Sequence, residues 1–110
     1  MVDYESPFGL AKNIGAQIAH LLSTYDVDSL PLEQREAVRL LKNQAADMRL
    51  DIRDYGMAET RAQQQQLAKE VTERLEQLQA TILKISEYNL VSAVDVAQLS
   101  AQLQQLISVL

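Results

Sequence analysis

The sequence predicts an all-α helical bundle of about four helices, and three observations carry that expectation. Glycine and proline are scarce, three and two in 110 residues, and neither occurs after Gly56. A sheet protein would need turn residues every ~8–12 positions. The apolar residues are mostly Leu, Ala, Val and Ile, with a single Phe and no Trp, which suits helices that interdigitate small and branched side chains. Apolar positions also recur in steps of three and four over long stretches, the heptad-like pattern of coiled-coil packing. The length fits one α-helical domain over residues 1–110.

The first helix is expected over roughly residues 7–25. Ser6 can cap it and Pro7 can occupy its first turn. Phe8, Ala11, Ile14, Ile18, Leu21, Leu22 and Tyr25 then form an apolar stripe. Gly15, Ala16 and Ala19 are small enough to admit a neighbouring helix closely. "STYDVDSLP" reads as a loop, and Ser29 with Pro31 sets the next start near residue 30.

The second helix, about 30–55, carries the seam Val38, Leu41, Ala45, Met48, Ile52 and Tyr55. Continuing that register past Gly56 would bury Glu59, Lys69 and Glu73, so the chain is expected to fold back near "DYGM". A third stretch, about 57–89, has the seam Ala68, Val71, Leu75, Leu78, Ile82 and Ile85. A fourth, about 92–109, has Val96, Leu99, Leu103, Leu106 and Leu110. These last two share one register, interrupted only by the polar Asn89 and Ser92. A continuous helix with a buried Asn is one reading. A break near Asn89, with Ser92 and Asp95 as a capping box, is preferred because an unbroken helix would be over about 70 Å long.

Several function classes lose support. Without cysteine there are no disulfides, no thiol catalysis and no cysteine-ligated zinc. The start, "MVDYESPFGL", is acidic where a signal peptide would be basic, and no apolar run approaches a membrane span. A cytoplasmic location is therefore expected. The net charge of −5 disfavours nonspecific attraction to nucleic acid or to an anionic membrane. His20, the only histidine, has Gln17 where a helical Glu-x-x-His metal motif needs a carboxylate.

Two patterns could carry chemistry. Glu33 and Glu36 make Glu-x-x-Glu, and Asp51 and Asp54 make Asp-x-x-Asp, a spacing that can hold Mg²⁺ on a helix face. The pairs faintly resemble the acidic signature of the all-α nucleotide pyrophosphohydrolases. The resemblance implies pairs on facing helices, whereas both pairs here fall on one helix about 27 Å apart by rise. A carboxylate-metal nucleotide hydrolase is therefore the alternative rather than the leading reading. Arg35, Arg39, Lys42, Arg49 and Arg53 form a basic stripe on the second helix, expected to pair with Glu70, Glu73 or Glu76 of the third. A nucleic-acid-binding role comes last, since that helix carries as many acids as bases and no aromatic residues interleave for stacking.

The leading expectation is a small protein-interaction module, not an enzyme, with no metal or cofactor: an adaptor, assembly factor or secretion-type chaperone that self-associates, a dimer being favoured. The last 15 residues, "VAQLSAQLQQLISVL", contain no charged side chain, which suggests contact on more than one side. Four consecutive glutamines, Gln63–Gln66, read as helix rather than linker, with Gln64 turned inward. A hairpin centred on Gly56 would set Val71 against Leu41 but Met48 against the Gln64 region. Met48, Ile52 and Tyr55 would then need cover from the first helix or from a second copy. Together with Leu99, Leu103 and Leu106 they are the candidate interaction residues.

Overall fold

The computed structural model describes residues 6–110, and the acidic start at residues 1–5 lies outside them. Four helices follow in order: α1 (Pro7–Ser23), α2 (Leu32–Gly56), α3 (Arg61–Glu87) and α4 (Ala93–Ser108). A 3₁₀ turn, Val27–Ser29, joins the first two. The helices form a ring in which α2 packs on α1 and α3, and α4 closes the other side against the same two neighbours. Consecutive helices joined by short links run antiparallel, in keeping with the cross-helix neighbours Gly15–Met48, Asp51–Arg74 and Gln79–Gln104. One apolar cluster runs through all four.

The expected seams supply most of that cluster. Val38, Leu41, Ala45, Met48 and Ile52 of α2 are buried, as are Val71, Leu75, Leu78, Ile82 and Ile85 of α3. Leu99, Leu103 and Leu106 do the same for α4, and Ala11, Ile14, Ile18 and Leu22 for α1. Each large aliphatic side chain buried in this way contributes roughly 1.5–3 kcal/mol. Phe8 departs from its stripe: it is exposed on the flank of α1 facing α2, and Leu10 takes the buried place in that first turn. Leu90 and Val91, in the short α3–α4 link, are buried too.

Local capping explains the boundaries. The Ser6 hydroxyl accepts from the Gly9 amide at 3.0 Å, with Pro7 in the first turn of α1. The second helix begins at Leu32 rather than near residue 30, because the Ser29 hydroxyl is turned back to the Asp26 carbonyl within the 3₁₀ turn. The third begins at Arg61, not near residue 57. Gly56 completes α2 with negative φ, and Thr60 is the cap, accepting from the Gln63 amide at 3.1 Å.

This later start shifts the pairing of the hairpin. Met48 lines one groove with Val71 and Leu75, not with the Gln64 region, and Asp51 meets Arg74. The glutamines lie at the hairpin tip. With Gln79 level with Gln104, the end of α4 falls near residue 75 of α3, so the first turns of α3 project past it. Gln64 alone of the four is half-buried.

The register shared by the third and fourth stretches is broken at Asn89. Its φ of 60° is the left-handed conformation that ends a helix. The Leu90 amide reaches the Ile85 carbonyl at 3.4 Å and the Asn89 amide reaches the Ser86 carbonyl at 2.9 Å, so these two carbonyls in the last turn of α3 are satisfied. Leu90 then packs back beside Ile85, both buried. Ser92 opens α4, accepting from the Asp95 amide at 3.1 Å while its own hydroxyl donates to the Asp95 carboxylate at 2.9 Å. Tyr25, just beyond α1, donates its hydroxyl to the Leu90 carbonyl and ties this turn to the α1 end of the bundle.

Replacing Asn89 tests that turn. Asn89→Ala is expected to cost about 1 kcal/mol because a Cβ with no compensating side-chain hydrogen bond disfavours positive φ, whereas Asn89→Gly should hold or raise stability. Urea unfolding of the two variants beside the parent chain reads the difference.

Candidate interaction surfaces

The six residues singled out by the sequence do not form one surface. Met48, Ile52, Leu99, Leu103 and Leu106 are all buried in the chain's own core, and Tyr55 is half-buried at the hairpin tip. Cover for Met48 comes from α3, through Val71 and Leu75, and from α1. A Cβ added at Gly15 would lie 4.0 Å from Met48 Cε and 3.3 Å from Arg49 Cδ, so this glycine leaves room for the Arg49 stem to lie against α1. Surfaces able to meet a partner therefore lie on the outer sides of the helices.

Helix α2 sorts its charges. With ~100° between successive residues, Glu33, Glu36, Asp47, Asp51 and Asp54 all project on one flank, and Arg35, Arg39, Lys42, Arg49 and Arg53 on the other. The buried seam separates the two flanks on the inside. The acidic flank faces α3, where Asp47, Asp51 and Asp54 line a groove with Arg74. The basic flank faces α1, where Lys42 and Arg49 line a groove with Gly15 and Ala19. This corrects the expected pairing of the α2 bases with Glu70, Glu73 or Glu76. The ion pairs formed are instead Arg39–Asp28 at 3.6 Å, Arg53–Asp54 at 3.4 Å and Arg74–Asp51 at 2.5 Å.

The acidic pairs are not brought together by the fold. Asp51 is 15% exposed at its side chain and engaged by Arg74, whose guanidinium is raised above its ordinary value by that hydrogen bond and by the carboxylate's charge. Glu33 sits far along α2 beside Tyr88, whose phenol is raised by partial burial and then by the Glu33 carboxylate. The helix facing Asp51 thus offers a cation where a two-pair metal site would need acids. Among the described residues, no group of three or more His, Cys, Asp or Glu is set to hold a metal ion. Asp51 Oδ2 and Gln44 Oε1 are buried without a donor in this groove. His20 is exposed and shares a shallow groove between α1 and α4 with Gln17 and Asp95.

Helix α4 presents a different surface. Opposite its core seam lie Val94, Ala97, Ala101, Gln104 and Ser108, again in steps of three and four, all exposed and none charged. Its one charged residue, Asp95, is taken up by the Ser92 cap. Gln104 bonds sideways to Gln79 at 3.2 Å. The outer seam is small and flat enough for another helix backbone to approach closely.

No helix among the described residues is long and apolar enough to cross a membrane. No family model, curated protein or solved structure matches the chain.

The Asp51–Arg74 pair joins a largely buried carboxylate to a guanidinium that is 59% exposed, and an ion pair screened by water on one side contributes only ~0.2–1 kcal/mol. A double-mutant cycle with Asp51→Asn and Arg74→Met should give a coupling within that range by urea unfolding; a value of several kcal/mol would mean that the groove excludes water.

Proposed function

We propose that this chain is a small helical protein-interaction module that self-associates through the outer face of α4. The observation that carries the reading is the uncharged seam Val94, Ala97, Ala101, Gln104 and Ser108 on the solvent side of a helix whose inner seam is already buried. A helix face kept in water normally carries Lys and Glu, which hold it soluble. A face of Ala, Gln, Ser and Val has no charge to desolvate, its amides and hydroxyls can re-form their hydrogen bonds across an interface, and its alanines let two backbones pack closely. A two-fold pair of α4 helices buries the same patch on both copies, which favours a closed dimer.

Exposed large apolar residues, within the α4 seam and outside it, support an interaction role. Leu32 and Met57 are 61% and 70% exposed at the two ends of α2, and Val94 is 71% exposed at the start of α4. Catalysis by a carboxylate-bound metal has less support, because Arg74 occupies the position facing Asp51.

Ala101→Glu tests the proposal, since it places a charge at the centre of the α4 seam without touching the core. Light scattering across a concentration series should show the parent chain shifting toward a dimer and the variant staying monomeric, with equal helical content by circular dichroism. A parent chain monomeric at every concentration, or a variant that associates equally well, would overturn the α4 interface.

A further inference from the structure

The basic flank of α2 supplies a second surface of different chemistry. Between α1 and α2 runs a groove lined by Gly15, Ile18, Ala19, Ala45 and Ala46, with the exposed Lys42 and Arg49 on its rim. It continues past Ala46 and Arg49 to an apolar end formed by Phe8 and Leu50, 47% and 49% exposed, beside Arg53. From Lys42 to Arg53 the groove spans about 17 Å, or three turns of a helix. Among the described residues, neither Lys42 nor Arg49 makes an ion pair. Lys42, Arg49, the small-residue lining and the exposed Phe8 and Leu50 therefore all lie on one side of the molecule, and Arg53 at its end is held only by the exposed Asp54 next to it in the chain.

We propose that this groove docks an acidic amphipathic helix from a partner protein. The inference rests on the interaction-module reading and adds a second face to it. Apolar residues of the incoming helix would lie over Ala46 and against Phe8 and Leu50, with its carboxylates reaching Lys42, Arg49 and Arg53. Such a helix is one ridge about 10–12 Å across, so it meets the basic flank alone. A flat anionic bilayer or a nucleic-acid duplex is wider and would also meet Glu36, Asp47 and Asp54 on the other flank of α2, which repel it. A second copy of this chain is a poor occupant. Its acids on α3, Glu70, Glu73 and Glu76, alternate with Lys69 and Arg74, and those on α2 line the groove that Arg74 partly neutralises.

The test uses the full chain and a fluorescein-labelled synthetic helix of about five turns, with Leu along one face and Glu on both flanks, read by fluorescence anisotropy. Binding should be saturable and weaken as salt rises. The double variant Lys42→Glu/Arg49→Glu, whose folding is checked by circular dichroism, should bind about tenfold or more weakly. That variant should instead prefer the same peptide with Lys in place of Glu. Equal binding to parent and double variant would overturn the proposal, as would no saturable binding at low salt. Tighter binding to phosphatidylserine vesicles or duplex DNA than to the peptide would overturn it as well. Ala101→Glu separates the two readings: it should bind the peptide like the parent. Loss of peptide binding with α4 association intact removes the groove alone, whereas loss of both removes the module.

Discussion

Burial of a single seam along α2 is the constraint on which the rest of the structure depends. Val38, Leu41, Ala45, Met48 and Ile52 must be covered on two sides at once, because α2 lies between α1 and α3 in the ring. Removing any of the larger members would leave a cavity costing about 2–5 kcal/mol. Around Met48 the seam is covered from α1 beside Gly15 and from α3 by Val71 and Leu75. The closing helix α4 then needs only to fill the opposite side of the same cluster.

The seam also organises the outside. Once it faces inward, the two flanks of α2 are fixed, acids toward α3 and bases toward α1. The outer sides of the bundle therefore differ in chemistry: an acidic groove partly neutralised by Arg74, a basic groove without paired cations at its rim, and an uncharged face on α4. Self-association and capture of a partner helix would use separate faces and need not compete.

Much of the fold was legible in the sequence, because heptad spacing reports burial directly. The three long seams are buried as their spacing implies except at their ends, where Tyr55, Ala68, Val96 and Leu110 are half-buried, and the break between Ile85 and Val96 follows from Asn89 and the Ser92 cap. The hairpin register was not legible from Gly56. Gly56 stays within α2, and it is Thr60, four residues later, that opens α3, moving Met48 from the glutamines to Val71. Nor could the seam say which neighbour lies on which side, since a ring of either hand buries it equally. That choice sends the α2 bases toward α1 instead of toward Glu70, Glu73 and Glu76. The separation of acids from bases around α2 was present in the residue spacing. Its consequence for α1, and the exposure of Phe8 and Leu50 beside it, required the packing.

The most direct measurement is the fate of Ile52→Asp in dilute solution, followed by circular dichroism and sedimentation velocity together. Ile52 is 1% exposed within a single chain, so an unpaired carboxylate there is incompatible with the core. A core complete within one chain predicts that Ile52→Asp loses cooperative unfolding and much of its helical signal at every concentration. A variant that stays fully helical and cooperative, and differs from the parent only in its state of association, would contradict it. Ile52 would then belong to an interface between chains and not to the seam that organises this one.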